Sequence, residues 1–221
     1  MADQKQSKLF SEITEHLLQD DVPSYYLNTL SNDPAWRKYP FSLLLKLKQT
    51  EQSRKYHPEG NVWNHTVLVV DEAARVRNES KNPKAFMWAS LLHDIGKPDT
   101  TQWRKGRITS YDHDRVGADL CVRFLEELTN EEAFIKTVRG LVRYHMHMLY
   151  ILKELPYGDL VHLLRESDIF DCALLSKCDR LGRTGADVLE EEDNYKRYLT
   201  RLIEAKERMQ QKSGNGAVNR N

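Results

Sequence analysis

The chain has 221 residues, enough for one sizeable hydrophobic core, and no Pro/Gly/Ser-rich linker divides it into comparable halves. Its 33 Lys and Arg balance 33 Asp and Glu, so no long nucleic acid and no anionic membrane surface is expected as a partner, whereas a small phosphate-bearing ligand answers to local charge alone. The N-terminal residues Met-Ala-Asp-Gln-Lys lack an apolar signal core and no apolar run approaches the roughly 20 residues that span a bilayer, which points to a soluble, cytoplasmic protein.

Helical periodicity recurs almost throughout and strand alternation of useful length is absent, so the expected fold is all-α, a single helical bundle with additional N- and C-terminal helices. Residues 1–56 read as a helical extension packed on the core, with amphipathic helices at 9–18 and 41–48 around a Pro/Asn-containing connection. The core occupies 57–183, with helices predicted at 63–77, 83–95, 115–128, 131–149, 159–166 and 171–181. Between the second and third of these, Thr101 to Ser110 forms an excursion that turns at Lys105-Gly106, a short hairpin. A C-terminal helix follows within 184–211, and 212–221 is too poor in apolar residues to pack and is expected to be a disordered tail. Cys121, Cys172 and Cys178 are odd in number and form no Cys-x-x-Cys pair, so they read as buried reduced thiols.

The apolar run from Ala85 to Leu92 closes on His93-Asp94 and is followed at once by Ile-Gly-Lys-Pro. Such a helix holds an imidazole and a carboxylate at its negative end, where a cation is welcome, with Gly96 as its stop and Pro98 beyond. The helical period sorts the other histidines. His145 shares a stripe with Phe134, Val138, Leu141, Val142, Met148 and Leu149, whereas His147 falls about 200° away with Lys136 and Arg143, facing solvent. His65 shares a face with Leu68, Val69 and Val76 and is expected to be buried. A lone inward histidine is more often a hydrogen-bonded core residue than a ligand. Asp179 lies on a partly apolar face at the unfavourable end of a helix, so it needs either Arg180, Arg183 or a metal. His113 stands at a helix start, while His16, His57 and His162 have polar or N-terminal settings and are not expected to ligate. Imidazole and carboxylate without thiolate suit a divalent ion such as Mn, Fe, Co, Ni, Zn or Mg, and one or two such ions would fit this complement.

The segments Gly60-Asn-Val-Trp-Asn-His65-Thr, Leu91-Leu-His-Asp-Ile-Gly-Lys-Pro, Asp112-His113-Asp-Arg-Val-Gly-Ala, Val142-Arg-Tyr-His145-Met and Cys178-Asp179-Arg-Leu-Gly-Arg resemble, in this order, the HD-domain superfamily of metal-dependent phosphohydrolases. In particular they are similar to the HD domain fused to some bacterial CCA-adding tRNA nucleotidyltransferases. The resemblance implies metal ligation by His65, His93, Asp94 and Asp179, with Asp94 bridging to a second ion held by His113 and His145. It further implies hydrolysis of a phosphate monoester or a linear or cyclic phosphodiester of a small nucleotide-like substrate. Asp94 and Lys97 would act at the reacting phosphate, and Lys97, Arg143 and Arg183 would bind substrate. Arg104, Lys105, Arg107 and Arg115 could add to a basic rim, with ordinary solvated surface charge the competing and stronger reading for any one of them. A non-catalytic metal- and nucleotide-binding regulatory module is the alternative. No Gly-Ser-type loop with a paired-aspartate strand is found in the sequence, so CCA addition is not expected.

Overall fold

Short polar side chains decide where the core helices begin. In the computed structural model, Asn61 accepts a hydrogen bond from the Asn64 amide to open α4 (Val62–Val76), and Asn82 accepts from Ala85 to open α5 (Pro83–Leu92), with Pro83 in its first turn. Asp159 and Asp168 do the same for α10 (Leu160–Glu166) and α11 (Ile169–Leu181). The structure describes residues 4–218, apart from the side chains of Ser31 and of residues 213–218.

Every residue of α5 from Ala85 to Leu92 is buried, as an all-round apolar helix must be, and α5 forms the axis of the bundle. Against it pack α4, α11, α8 (Glu132–Tyr144) and the N-terminal α1 (Gln4–Gln19). α7 (His113–Glu126) lies on α8, and α12 (Val188–Val218) covers α11. The N-terminal segment belongs to the same hydrophobic core: Phe10 packs on Trp88 with ring centroids 4.7 Å apart, and Phe41 meets Phe124 edge-on at 5.5 Å. Between α1 and α3 (Ser42–Gln49) the Pro/Asn connection contains the short α2 (Ser24–Thr29) and two 3-10 turns, which the periodicity did not foresee. The three cysteines are buried and free. No helix among the described residues is long and apolar enough to cross a membrane.

The expected hairpin is present. β1 (Gln102–Arg104) pairs antiparallel with β2 (Arg107–Thr109), and Lys105 and Gly106 turn between them at φ of 50° and 74°, the conformation a two-residue hairpin loop requires.

Two expected helices are broken. The one predicted over 83–95 ends at Leu92, turns through His93-Asp94, and resumes as the single-turn α6 (Lys97–Thr100), where Pro98 sits comfortably in a first turn. The one predicted over 131–149 stops at Tyr144 and restarts as α9 (His147–Leu152). The backbone of α12 is helical to Val218, and the tail expected from residue 212 falls largely outside the described side chains.

Candidate metal centre

Two close approaches assemble the site. A Cβ on Gly96 would stand 2.2 Å from the His113 carbonyl oxygen and 2.6 Å from the Gly117 nitrogen. Bare glycine therefore lets α7 begin directly against the His93-Asp94 turn. This replaces the helix-stop role read from sequence, since Gly96 has an ordinary φ of −81°. At the other side a Cβ on Gly182 would lie 2.8 Å from the Val69 nitrogen, so the end of α11 presses on α4 and brings Asp179 to His65.

Asp94 stands at the centre. Its Oδ1 is 3.4 Å from His113 Nε2 and 3.9 Å from His145 Nε2. Its Oδ2 is 3.2 Å from His93 Nε2, 3.9 Å from His65 Nε2 and 2.7 Å from Lys97 Nζ. Asp179 Oδ1 lies 2.9 Å from His65 Nε2 and 3.6 Å from Arg183 Nη2. Both partners weighed for Asp179, an arginine and the metal cluster, are thus beside it. Two of the three compact donor groups among the described residues meet here, His65/His93/Asp179 and Asp94/His113/His145, each with its candidate ligand atoms within 4.8 Å of one another; the third, His57/Glu59/His65, adjoins them through His65 and includes His57, which the sequence had not put forward as a ligand.

The tautomers are set by the backbone. His93, His113 and His145 each donate Nδ1–H to the carbonyl three residues earlier, Ser90 at 2.8 Å, Ser110 at 2.7 Å and Val142 at 2.7 Å. A carbonyl can only accept, so the proton is on Nδ1 and each Nε2 presents a lone pair. His93 Nε2 has no hydrogen-bond partner, and His113 Nε2 faces His145 Nε2 at 3.2 Å. Burial pushes His113 down to about 3 and also lowers His145. Two neutral imidazoles aiming lone pairs at each other beside a carboxylate repel unless a cation sits among them, so this donor set fits a divalent ion. The carboxylates are ready as ligands. Burial works against the charge of Asp94, but neighbouring positive charge, that of Lys97 first, outweighs it and holds the carboxyl well below the usual range. Arg183 and then His65 do the same for Asp179.

His65 is held differently, by a residue the sequence pattern missed. Glu59, only 3% exposed at its side chain, places Oε1 3.1 Å from His65 Nδ1 and 2.9 Å from His57 Nδ1, and its Oε2 accepts from the Thr184 amide at 3.3 Å. Burial opposes charge on His65, yet the hydrogen bond to Asp179 and the nearby Glu59 carboxylate prevail and raise its pKa. Gly60, at φ +107°, and the Asn61 cap mark a helix start in the sequence, but a loop residue such as Glu59 belongs to no period that could reveal its direction. His57, expected in a polar setting, is 12% exposed at its side chain, and burial lowers it to about 4.

Lys97 reaches Asp94 and also donates to Gln52 Oε1 at 2.8 Å. It lines, with Asp94, His113, His145, Asp179 and Arg183, the floor of a cavity of about 570 Å³ whose walls include Tyr56, Tyr111, Tyr150, Tyr157, Arg104 and Arg115. Arg143, expected at the substrate, does not line it; its guanidinium is held 2.5 Å from Asp114. His147 corrects the helical-face reading. It is fully buried, accepts from the Asp159 amide at 3.0 Å and packs edge-on against Tyr144. The break after Tyr144 resets the helical phase, so counting 100° per residue across it put His147 on the wrong side.

The chain matches the HD domain over residues 62–184. It is 29% identical to the "Multifunctional CCA protein" of Actinobacillus pleuropneumoniae serotype 5b (strain L20) over 186 residues, 78% of this chain and 43% of the relative. The protein of the same name from Methylococcus capsulatus (strain ATCC 33009 / NCIMB 11132 / Bath) is 29% identical over 178 residues, 76% of this chain and 40% of the relative. That of Halorhodospira halophila (strain DSM 244 / SL1) is 34% identical over 119 residues, 54% and 27% of the two chains. The match thus spans less than half the length of these curated relatives.

Proposed function

Because the chain belongs to the HD domain family, whose match covers more than half of it, we propose that it is a metal-dependent phosphohydrolase acting on a phosphate monoester or a linear or cyclic phosphodiester of a nucleotide-like substrate. The observation that carries the reading is the ring of backbone-oriented imidazoles around Asp94, at the floor of a cavity that also presents Lys97 and Arg183. His65, His93, Asp94 and Asp179 would hold one divalent ion, and Asp94, His113 and His145 a second. Such ions supply Lewis acidity toward a phosphoryl oxygen and toward water, and no protein nucleophile is then required.

The side chains supply the rest. Lys97, fixed between Asp94 and Gln52, offers an ammonium to the charge that develops on the phosphate. Arg183, beside Asp179 in the same cavity, offers a second cation. The tyrosines above give the leaving group an aromatic surface of the kind that takes a nucleobase. The test is a screen of phosphomonoesters, 2',3'-cyclic nucleotides and small chromogenic diesters against a panel of divalent metals, with Asp94→Ala as control. Metal-dependent turnover that vanishes in Asp94→Ala is the expected result. Full activity in that variant would sink the proposal, and nucleotide binding without turnover on every metal would leave the regulatory module.

A further inference from the structure

A second groove, of about 960 Å³, adjoins the cavity and shares with it Gln52, Ser53, Tyr56, Ile108, Thr109 and Tyr111. One wall is the β1–β2 hairpin with Trp103 and Arg107, and the other is the end of α3 and the loop after it, with Lys48, Arg54 and Lys55. Glu51 and Glu59 are the carboxylates of the lining, and Glu59 is turned inward onto His57 and His65. The groove therefore presents four cations against one solvent-facing carboxylate, on a chain whose net charge is zero.

Its aromatic residues are unusually bare. Trp103 is 71% exposed and Tyr56 and Tyr111 are each 58% exposed. All three residues of β1 face solvent, and Trp103 pairs with Ile108 across the hairpin ladder, while Lys55 Nζ stands 5.4 Å over the Tyr56 ring and the Arg104 guanidinium 5.2 Å over the Tyr111 ring, so cations already lie against two of the three aromatics. Exposed rings spaced along a cationic groove are what a single-stranded polynucleotide uses, its backbone tracking the charges while its bases stack on the ring faces.

We propose that this groove holds a single-stranded polynucleotide, so that the phosphate presented to the metal centre belongs to a chain rather than to a free mononucleotide. The assignment of that phosphate as the one hydrolysed rests on the phosphohydrolase reading, whereas the binding itself does not. The zero net charge argued against long nucleic acid. Locally, the lining reverses that argument, because screening confines such interactions to about 10 Å, the scale of the groove itself.

The experiment is fluorescence anisotropy on the full chain with chelator present, using labelled oligouridylate and oligothymidylate of about eight nucleotides, a labelled dinucleotide, and a duplex of the same length. The single strands are expected to bind at least about tenfold more tightly than the dinucleotide. Trp103→Ala combined with Arg107→Ala should weaken them about tenfold, consistent with loss of one stacking platform and one phosphate contact. Hydrolysis of a small chromogenic diester should be unchanged in Trp103→Ala alone, which keeps Arg107 and alters a residue outside the lining of the cavity. Lys55→Glu repeats the test on the opposite wall without touching the hairpin. Equal affinity for dinucleotide and oligomer, unchanged oligomer affinity in both variants, or equally tight binding of the duplex would each overturn the proposal. Tight single-strand binding lost in the variants, in a protein that hydrolyses no diester, supports the groove and removes only the phosphohydrolase reading. A preference between the ribo- and deoxyribo-oligomers identifies which nucleic acid the groove takes.

Discussion

The Asp94 carboxylate faces four imidazoles and one ammonium at distances from 2.7 to 3.9 Å, and three of those imidazoles cannot turn away because their Nδ1 atoms are tied to backbone carbonyls. If both donor groups fill, elemental analysis of the metal-loaded chain approaches two ions, and His113→Ala lowers the plateau to one. Glu59 places its carboxylate 3.1 Å from His65 Nδ1, so Glu59→Ala removes the group beside that ring and is expected to weaken metal binding about 10- to 100-fold, read by calorimetric titration. The histidines also set a pH dependence. Burial lowers His57 to about 4 and both His113 and His147 to about 3, so in the metal-free protein the unfolded chain takes up protons that the folded chain refuses. Their contribution is complete above the unfolded value of about 6.5 and is lost as pH falls, at up to about 1.4 kcal/mol per pH unit for each histidine. His65 has the opposite sign: its raised pKa adds stability that is full below about 6.5 and lost as pH rises through the folded value. Denaturant unfolding of the metal-free protein between about pH 6.5 and 4 should therefore show falling stability. The slope should be shallower in His147→Gln, whose site lies outside the donor groups.

At the scale of elements, the site depends on how closely α7 and α11 approach their neighbours. Gly96→Ala would drive a methyl group into the His113 carbonyl and the start of α7, where the atoms it meets are backbone and no flexible side chain can yield. Overpacking of this kind costs about 1–3 kcal/mol, and because it displaces His113 it should also lower metal stoichiometry, which thermal melts and elemental analysis would register together. The same elements show which sequence signals carried. The faces of His65 and His145 were legible because each lies within, or directly at the end of, an unbroken helical period. His147 was not, because a break of two residues precedes it and a period cannot be carried across a turn. Glu59 and Gln52 were invisible for a related reason, since both lie in the loop before α4, where direction follows from packing alone.

For the whole molecule, the centre joins five parts of one core: α4, the turn after α5, the start of α7, the end of α8 and α11. An ion that binds this arrangement and not the unfolded chain stabilises all of it, by about 2.7 kcal/mol at a free concentration of 100 Kd. Chelator should accordingly lower the melting temperature of the metal-loaded protein in a single transition, and a melting temperature indifferent to chelator would speak against a resident ion. The all-α class, the hairpin at Lys105-Gly106, the buried thiols and the order of the His/Asp motifs were determined by the sequence alone, because periodicity, turn chemistry and residue type are local properties. Tertiary structure decided the rest. It turned Arg143 onto Asp114 and His147 inward, brought Glu59 to His65, and set exposed aromatics beside cations in a groove next to the cavity. Each of these joins segments far apart in the chain, and distances between such segments are fixed by how closely helices pack, through glycines such as Gly96 and Gly182, rather than by any pattern along one helix.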